Sequence, residues 1–382
     1  MSGVVSSPRD DVLVLGAGVM GCAVAFELAR RGLRVTVLER SVPGAEASSA
    51  AAGMLGAQAE AHEEGAFLDL CLRSRARFPA WAEALRDATG IDVEHRVCGI
   101  MRVAHDEDSA TQLAMDVAWQ TKLGLSAELF EGDLAREIEP AIGKTVIAAA
   151  QFPCDGRVDP PTWLRALRIG AERAGARFRL GVVVRRVLSD KGRAIGAQLE
   201  DGEKLASGNV VVAAGSWSTL VEGTGLPPTA VKPARGQIVQ LLVPSPVQHT
   251  IVWGPRAYLC PRDDGRVLVG STLEFVGYQR GVTARAVRDL IDAAIQDVPA
   301  LERASFDRAW SSFRPYTKDE LPLLGRTGTE GLWFASGHYR NGILLSPITA
   351  EIIAALCLGE APPFDIAAFD MKRLVEPSAA AT

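Results

Sequence analysis

The sequence predicts a fold of the α/β and α+β classes, in which a doubly wound domain made of discontinuous segments carries an inserted, mainly antiparallel sheet. Three observations support this prediction. Residues 11–39 follow the order strand, glycine turn, helix, strand. From residue 332 onward, the chain again forms a strand, a glycine turn and a helix. Between these units, residues 232–275 alternate apolar and polar side chains as antiparallel strands do.

Length and composition exclude several classes of protein. The chain has 382 residues, enough for a large domain and a smaller one. Its net charge is −5, and no basic run exceeds Arg30-Arg31 or Arg185-Arg186, so we expect no nucleic-acid partner. No apolar stretch reaches the roughly 18 residues that a membrane span needs. The five histidines lack metal-ligand spacing, so we expect no metal site. We also expect a cytoplasmic protein.

The first unit is a βαβ segment with a glycine-rich turn, Gly16-Ala17-Gly18-Val19-Met20-Gly21. Gly16 permits the tight turn, Gly18 lets the backbone approach a pyrophosphate, and Gly21 permits close helix–strand packing. The helix N-terminus favours phosphate groups. Glu39, at the end of the second strand, can accept hydrogen bonds from a ribose and disfavours a 2′-phosphate. The pattern predicts a dinucleotide site rather than a turn without ligand, but it does not separate FAD from NAD.

The remaining elements follow from periodicity and from turn and capping signals. Helices are predicted over 67–88, 107–124, 162–174 and 284–296, and Thr283 caps the last of these. Strands are predicted over 99–104, 177–188, 210–215, 237–242, 258–261, 267–271 and 332–335. The final helix is predicted from Ser346, with Pro347 at its first helical position.

Four further features are candidates for a site. Ser48–Gly56 consists of small residues and is either an exposed linker or a place where the backbone approaches a bulky ligand. Gly337–Pro347 is either an ordinary loop or a turn that aims N–H groups at a flavin. Arg314 either forms a structural ion pair or binds a carboxylate, and Tyr258 alone is typical of a core or rim tyrosine. The scattered carboxylates show no acid–base pair, and no nucleophile elbow or Walker loop is present.

Together these motifs resemble the D-amino-acid oxidase superfamily of FAD enzymes and, within it, the glycine oxidase family. The similarity covers about residues 11–370. Its most specific parts are Ser49–Ala57 and Gly337–Leu345. The supporting parts are Val211–Ser218, Leu268–Thr272 and Phe313-Arg314-Pro315 followed by Lys318-Asp319.

The resemblance implies a Rossmann-like FAD-binding domain that holds the cofactor without a covalent bond, since the C-terminal turn contains no cysteine. It assigns FAD contacts to residues in the glycine turn, the second strand, the small-residue segment and the C-terminal turn. These residues are Gly16, Gly18, Val19, Met20, Gly21, Glu39, Arg40, Ala47, Ser48, Ala52, Gly53, Met54, Val183, Gly215, His338, Tyr339, Arg340, Asn341, Gly342, Ile343 and Leu344.

The resemblance also assigns catalytic roles. Arg314 would bind the substrate carboxylate, and the Tyr258 hydroxyl would add a second contact. Arg340 would lie at the flavin ring and close to the substrate, and Arg256 is a further catalytic candidate. The sequence departs from the family pattern at two positions near the expected mouth of the active site. Arg256 stands where the pattern has His, and Leu273 stands where it has Met.

The implied reaction is oxidative deamination of a small amino acid, foremost glycine to glyoxylate, ammonia and hydrogen peroxide, within thiamine thiazole synthesis. An unprotonated amine would transfer a hydride to flavin N5, so no side-chain base is required. Oxygen would be the electron acceptor, and the chain would form a homo-oligomer, for which the resemblance implies a tetramer. The alternatives are a sarcosine or D-amino-acid oxidase or dehydrogenase, an NAD-dependent dehydrogenase, and a flavin-binding protein without catalysis.

The predicted domain division follows the same reasoning. Residues 1–88, 150–225 and 315–376 form the FAD-binding domain. Residues 89–149 and 226–314 form the inserted substrate-binding domain, and residues 377–382 are expected to be a disordered tail.

Overall fold

The structure, a computed structural model, describes residues 10–374; the predicted tail at 377–382 lies outside them. In chain order the elements are β1 (Asp10–Leu15), α1 (Val19–Arg30), β2 (Val35–Glu39), α2 (Ala47–Ala50), β3 (Met54–Leu55), α3 (Ala66–Arg75), α4 (Phe78–Thr89), β4 (Ile100–Ala104), α5 (Glu107–Lys122), β5 (Glu128–Glu131), α6 (Gly132–Ile138), β6 (Ala148–Phe152), β7 (Gly156–Arg157), α7 (Pro160–Arg173), β8 (Arg177–Leu180), β9 (Val184–Asp190), β10 (Arg193–Leu199), β11 (Lys204–Val212), β12 (Lys232–Leu242), β13 (Ile251–Trp253), β14 (Tyr258–Pro261), β15 (Arg266–Gly270), α8 (Ala284–Asp297), β16 (Ser305–Tyr316), β17 (Leu323–Arg326), β18 (Leu332–Ser336) and α9 (Gly342–Leu358). Short 3-10 helices cover Gly215–Leu220, Pro299–Arg303, Ala367–Phe369 and Met371–Leu374.

The first sheet has a parallel centre. Its order is β17-β18-β11-β1-β2-β8, and β10 and β9 continue from β11 as an antiparallel extension. β1 pairs in parallel with β11 and β2, and β11 pairs in parallel with β18. The carboxyl ends of β1, β11 and β18 therefore lie at one edge of the sheet, where ligands of doubly wound folds bind. Gly16, Gly215 and Gly337 lie in the segments that follow these three strands.

Helices α1, α7 and α9 cover one face of this sheet, and α1 packs against the other two. All but the last residue of α1 are buried. An aromatic cluster joins α1 and α7 through α4. The ring of Trp81, on α4, lies 5.8 Å from that of Phe26 on α1 and 6.4 Å from that of Trp163 on α7.

The second sheet has the order β16-β12-β15-β14-β13-β4-β6-β5, and only the β13–β4 pair is parallel. Helix α8 covers one of its faces, where Leu290 and Ala294 pack against Leu259 and Val269. Successive side chains of a strand point to opposite faces. Tyr258 therefore lies on the other face, within a separate apolar cluster.

The predicted fold class is confirmed, but some predicted elements were wrong. The single helix predicted over 67–88 is divided into α3 and α4, because Pro79 has no N–H for the carbonyl of Arg75. The strand predicted over 177–188 is interrupted at Gly181, which has a φ of +73°.

The last helix begins at Gly342 instead of Ser346, so Pro347 lies inside the helix and not at its first position. A proline there leaves the carbonyl of Ile343 without its helical donor. The Ser346 hydroxyl donates to that carbonyl at 2.8 Å and accepts from Trp163 Nε1 at 3.1 Å. One buried side chain therefore replaces the missing backbone hydrogen bond.

The domain division stays a prediction. Two of its bounds, at residues 149/150 and 314/315, fall inside strands of the second sheet, namely β6 and β16. Within residues 10–374, no helix is long and apolar enough to cross a bilayer. Over the same range, no group of three or more His, Cys, Asp or Glu side chains is arranged to hold a metal ion.

We expect Ser346→Ala to lower the free energy of unfolding by about 2 kcal/mol, because it leaves a buried carbonyl and the Trp163 N–H without partners. Urea unfolding followed by tryptophan fluorescence measures this loss. As a control, Ser189→Ala removes a hydroxyl from an exposed position of β9 and should change stability by less than about 0.5 kcal/mol. Equal effects of the two substitutions would contradict the role of Ser346.

Candidate active site

A large cavity connects the two sheets. It has a volume of about 760 Å³ and extends from the turns after β1 and β2 to the face of the second sheet opposite α8. The predicted site residues that line it are Gly16, Gly18, Val19, Met20, Glu39, Arg40, Ala47, Ser48, Ala52, Gly53, Met54, Val183, Gly215, Arg256, Tyr258, Arg314, His338, Tyr339, Arg340, Gly342 and Ile343. Motifs that are far apart in the chain therefore meet in one place.

The glycine-rich turn after β1 forms one end of the cavity. Gly16 has a φ of +104°, and a Cβ at this position would lie 2.7 Å from the Ala213 carbonyl oxygen. The first turn of α1 contains no acidic side chain, and its Val19 N–H donates to Ser48 Oγ at 2.9 Å. The other first-turn N–H groups have no acceptor within the helix and lie at the positive end of its dipole. This end of the cavity therefore suits a phosphate group.

Three of the predicted contact residues, Gly21, Asn341 and Leu344, do not line the cavity. Gly21 packs inside the turn, where a Cβ would come within 1.9 Å of the Gly16 carbonyl oxygen. Asn341 precedes α9 as its N-cap residue. The Leu344 side chain is buried in the core, and its carbonyl accepts the Ser74 hydroxyl at 2.5 Å. These three residues therefore lie next to the residues of the cavity wall without facing the cavity.

Glu39 joins the end of β2 to the glycine turn. Its two carboxylate oxygens accept the N–H groups of Ala17 and Ser41, each at 2.8 Å. Each oxygen can accept a further hydrogen bond, so the carboxylate can still bind a hydroxyl group in the cavity.

The neighbouring wall combines a cation with an aromatic ring. The Arg40 guanidinium lies 4.0 Å from the centroid of the Trp217 ring and donates to Glu46 at 2.8 Å. Val183 lines the wall nearby, and its carbonyl already accepts the N–H of Glu200 at 2.9 Å. Sequence reasoning did not identify Trp217 or Glu46 as parts of this wall.

The small-residue segment is not an exposed linker. Ala52 and Gly53 are buried, and a Cβ at Gly53 would lie 2.3 Å from a backbone oxygen. Trp310 Nε1, on β16, donates to the Ala50 carbonyl at 3.0 Å. The fully buried Arg262, which follows β14, donates to the Ala52 carbonyl. Two side chains of the second sheet therefore hold this segment against the cavity.

The turn between β18 and α9 forms another wall. His338 is buried, and its Nε2 lies 3.0 Å from the Thr349 hydroxyl. Burial lowers the pKa of His338 to about 3. Its imidazole is therefore neutral near pH 7, and its hydrogen bond joins the turn to α9. The Tyr339 N–H donates to the Pro315 carbonyl at 3.1 Å, which attaches the turn to the end of β16.

Arg314 and Tyr258 lie together at the other end of the cavity. Arg314 donates to the Thr272 carbonyl at 3.1 Å and to the Ser271 hydroxyl. Burial lowers the pKa of Arg314, but an arginine remains charged at any ordinary pH. Burial raises the pKa of Tyr258, so its hydroxyl stays protonated and can donate. A half-buried guanidinium beside a hydroxyl donor is suited to bind one carboxylate.

Two glycines that sequence reasoning missed leave room for these side chains. A Cβ at Gly236 would lie 2.2 Å from the Arg314 guanidinium, and a Cβ at Gly270 would lie 2.3 Å from the Tyr258 hydroxyl. The strand register explains both contacts, because Gly270 pairs directly with Tyr258 and Ala234, two residues from Gly236, pairs with Arg314. Both side chains therefore lie across a neighbouring strand.

Two more arginines line this end of the cavity. Arg340 belongs to the turn before α9, and the exposed Arg256 lies between β13 and β14, where it donates to Gln296 at 2.6 Å. Leu273 is 44% exposed and does not line the cavity, although it directly follows the Thr272 carbonyl.

Glu60 is a further group of the wall that sequence reasoning missed. Burial raises its pKa to about 7, against the opposing effect of Arg340. The only signal in the sequence was its position, three residues after Ala57, which ends the most specific small-residue segment.

The fold and the cavity define a class of protein. A glycine-rich turn at a helix N-terminus binds a dinucleotide, and the cavity leads from that turn to a buried pair of groups that suits a small carboxylate. This is the arrangement of a dinucleotide-dependent oxidoreductase that acts on small carboxylate-bearing molecules.

The chain belongs to the FAD dependent oxidoreductase family, whose model matches residues 11–356. It is 37% identical to the glycine oxidase of Geobacillus kaustophilus over 369 residues, which cover 96% of this chain and 97% of that protein. The crystal structure of glycine oxidase from Geobacillus kaustophilus matches with a TM-score of 0.93 and 36% identity, over 97% of this chain and 100% of that one. The bifunctional protein ThiO/ThiG of Synechocystis sp. is 37% identical over 96% of this chain, which spans only 54% of that longer protein.

These findings confirm the resemblance to the D-amino-acid oxidase superfamily and to glycine oxidases. They also confirm FAD as the cofactor, a choice that the glycine motif alone left open, and exclude the NAD-dependent alternative. The roles assigned to individual site residues stay predictions.

We expect Gly236→Ala to raise the Kd for acetate about tenfold, because the added methyl group displaces the Arg314 guanidinium. Gly236 does not need a positive φ, so the fold and FAD binding should be preserved. Isothermal titration of the FAD-loaded protein measures the Kd. Gly328→Ala, which meets no atom within 4 Å, is the matched control.

The same measurement in an Arg314→Ala background separates displacement of the guanidinium from other causes. Without the guanidinium, Gly236→Ala should have no further effect on acetate binding. A full additional loss in the double variant would refute the contact.

Proposed function

We propose that this protein catalyses the FAD-dependent oxidative deamination of a small amino acid, converting glycine to glyoxylate, ammonia and hydrogen peroxide. The observation that carries the proposal is the pair Arg314 and Tyr258, which lies in the same cavity as the dinucleotide-binding turn. The full-length similarity to glycine oxidases supports glycine as the substrate.

The residues that line the cavity fit FAD. The turn at Gly16 leaves no side chain between β1 and β11, and the first-turn N–H groups of α1 other than that of Val19 remain available to a pyrophosphate. Glu39 would hold the ribose, and the turn from His338 to Ile343 would contact the ring. When bound, the flavin accepts a hydride from the α-carbon of the amino acid. The binding is non-covalent, since residues 337–347 contain no cysteine.

Arg314 and Tyr258 contribute by orientation. Both would bind the substrate carboxylate, and since the α-carbon is bonded to that group, its position becomes restricted too. Holding reacting groups in the right geometry can lower a barrier by several kcal/mol. The Thr272 carbonyl and the Ser271 hydroxyl already hold the guanidinium in place, so less side-chain entropy is lost on binding.

The proposal also covers the electron acceptor, the assembly, the location and the metabolic role of the protein. We include molecular oxygen as the electron acceptor, a homo-oligomeric, tetrameric assembly, a cytoplasmic location and a role in thiamine thiazole synthesis. The similarity to a glycine oxidase supports the oxidase assignment, and the similarity to ThiO/ThiG proteins supports the role in thiazole synthesis.

Anaerobic reduction of the bound flavin by a panel of amines tests the activity and its specificity. We expect glycine to bleach the visible flavin absorbance faster than sarcosine, D-alanine or D-proline. In air, the same reaction should release hydrogen peroxide. Faster reduction by another amine of the panel would identify that amine, and not glycine, as the preferred substrate. If no amine bleached the flavin, the protein would bind a flavin without catalysing this reaction.

We expect Arg314→Ala to raise the KM for glycine about 100-fold, since a buried, charge-assisted contact to the carboxylate is lost. FAD should remain bound, which the flavin absorbance of the purified variant reports. Arg308→Ala is the control, because Arg308 lies on the same strand with a 64% exposed side chain. An unchanged KM in the Arg314 variant would eliminate its proposed role.

A further inference from the structure

Glu60 places a carboxyl group at the substrate end of the cavity. It lines the same wall region as Arg314, Tyr258 and Arg340. Among the residues that the structure describes, none forms a hydrogen bond with its carboxylate or approaches it as an ion pair. The four other acidic residues of the wall lie toward the dinucleotide end: Glu39, Glu46, Glu200 and Glu222.

A buried network holds the loop that carries Glu60. The Asp155 carboxylate accepts the N–H groups of Gln58 at 3.1 Å and of Ala59 at 2.8 Å, and it pairs with the Arg75 guanidinium. Asp155 itself is fully buried. The backbone directly before Glu60 is therefore restrained, and the unpaired carboxyl group is a defined part of the wall.

The groups that act electrostatically on Glu60 come from several elements. They are the cations Arg340 and Arg314, the acids Asp155 and Glu320, and the neutral groups Tyr258 and Cys71. Burial raises the pKa of Glu60 to about 7 and raises the pKa values of Tyr258 and Cys71 above their usual range. His338, with a pKa of about 3, stays neutral from pH 6 to 8. Glu60 therefore changes charge within this interval.

The proposed reaction needs a proton acceptor near the substrate amine. A free amino acid carries an ammonium group, but the α-carbon releases a hydride only when the nitrogen lone pair is available. At neutral pH a free amino acid is almost entirely in its ammonium form, and the neighbouring Arg314 and Arg340 favour the neutral amine. A carboxylate beside that ammonium group can accept its proton.

We propose that Glu60 is the catalytic base that deprotonates the substrate ammonium group. One N–H bond of the ammonium breaks, one O–H bond forms on the Glu60 carboxylate, and the amine keeps the electron pair. The proton returns to water after product release. The proposal rests on the proposed function for the identity of the amine, and it replaces the sequence-based expectation that no side-chain base takes part.

Binding of acetate to the FAD-loaded protein tests the placement of Glu60 without turnover. Acetate has the carboxylate but no amine, so the ionised Glu60 should repel it. For the unsubstituted protein, we expect the Kd for acetate to rise about tenfold between pH 6 and pH 8, as measured by isothermal titration. A Kd that stays constant over this interval would overturn the proposal, whatever the behaviour of any variant.

Two substitutions assign the pH dependence to a residue. Glu60→Gln should make the Kd for acetate independent of pH to within about twofold, because the amide does not ionise. Glu320→Gln is the matched control, since Glu320 is an exposed acid near Glu60 that does not line the cavity. It should retain the original pH dependence. An unaltered pH dependence in Glu60→Gln would also overturn the proposal.

The pH profile of glycine oxidation distinguishes a base from a structural group. Because protonated Glu60 cannot accept a proton, kcat/KM should fall as the pH drops below about 7. At pH 7, Glu60→Gln should lower kcat/KM about 100-fold. At pH 10, where the free amine is neutral, kcat/KM of Glu60→Gln and of the unsubstituted protein should differ by less than about threefold. A constant difference at every pH would mean that Glu60 acts only structurally. If no amine is oxidised at all, the proposed function fails while the acetate measurement still reports on Glu60.

Discussion

The close approach of β1 to β11 is the constraint on which the rest of the site depends. The Ala213 N–H donates to the Leu15 carbonyl at 3.0 Å, and the Gly16 turn then passes so near Ala213 that no side chain fits between them. Because β11 also pairs with β18, this contact brings the glycine-rich turn and the C-terminal turn to one edge of the sheet. A bulkier residue at Gly16 would separate both turns and so change every wall of the cavity.

Buried polar contacts connect that edge to the second sheet. Arg262 and Trp310 donate to carbonyls of the small-residue segment, and the Ser216 hydroxyl donates to the Phe313 carbonyl at 2.9 Å. Removing one partner of a buried charged contact costs several kcal/mol. The small-residue segment and the strands that carry Arg314 and Tyr258 are therefore positioned by the same contacts, so the two ends of the cavity are connected.

Much of the fold was predictable because its signals are local. The βαβ unit and the Thr283 cap each occupy a few consecutive residues, and the structure contains both. The interior position of Pro347 was not predictable, because it depends on Ser346, whose hydroxyl serves Ile343 within the helix and Trp163 from a distant one. The break between α3 and α4, in contrast, has a local cause, Pro79, which the prediction of one helix over 67–88 did not take into account.

The sequence by itself determined the dinucleotide class of cofactor, because the glycine turn encodes backbone approach directly, and its resemblance to a known family indicated most of the residues that line the cavity. Only the tertiary structure decided how the substrate end is built. Gly236 and Gly270 matter because the strand register lays Arg314 and Tyr258 across them, and Glu60 matters because burial changes its acidity. Register and burial arise from contacts between residues far apart in the chain, and no local pattern records them.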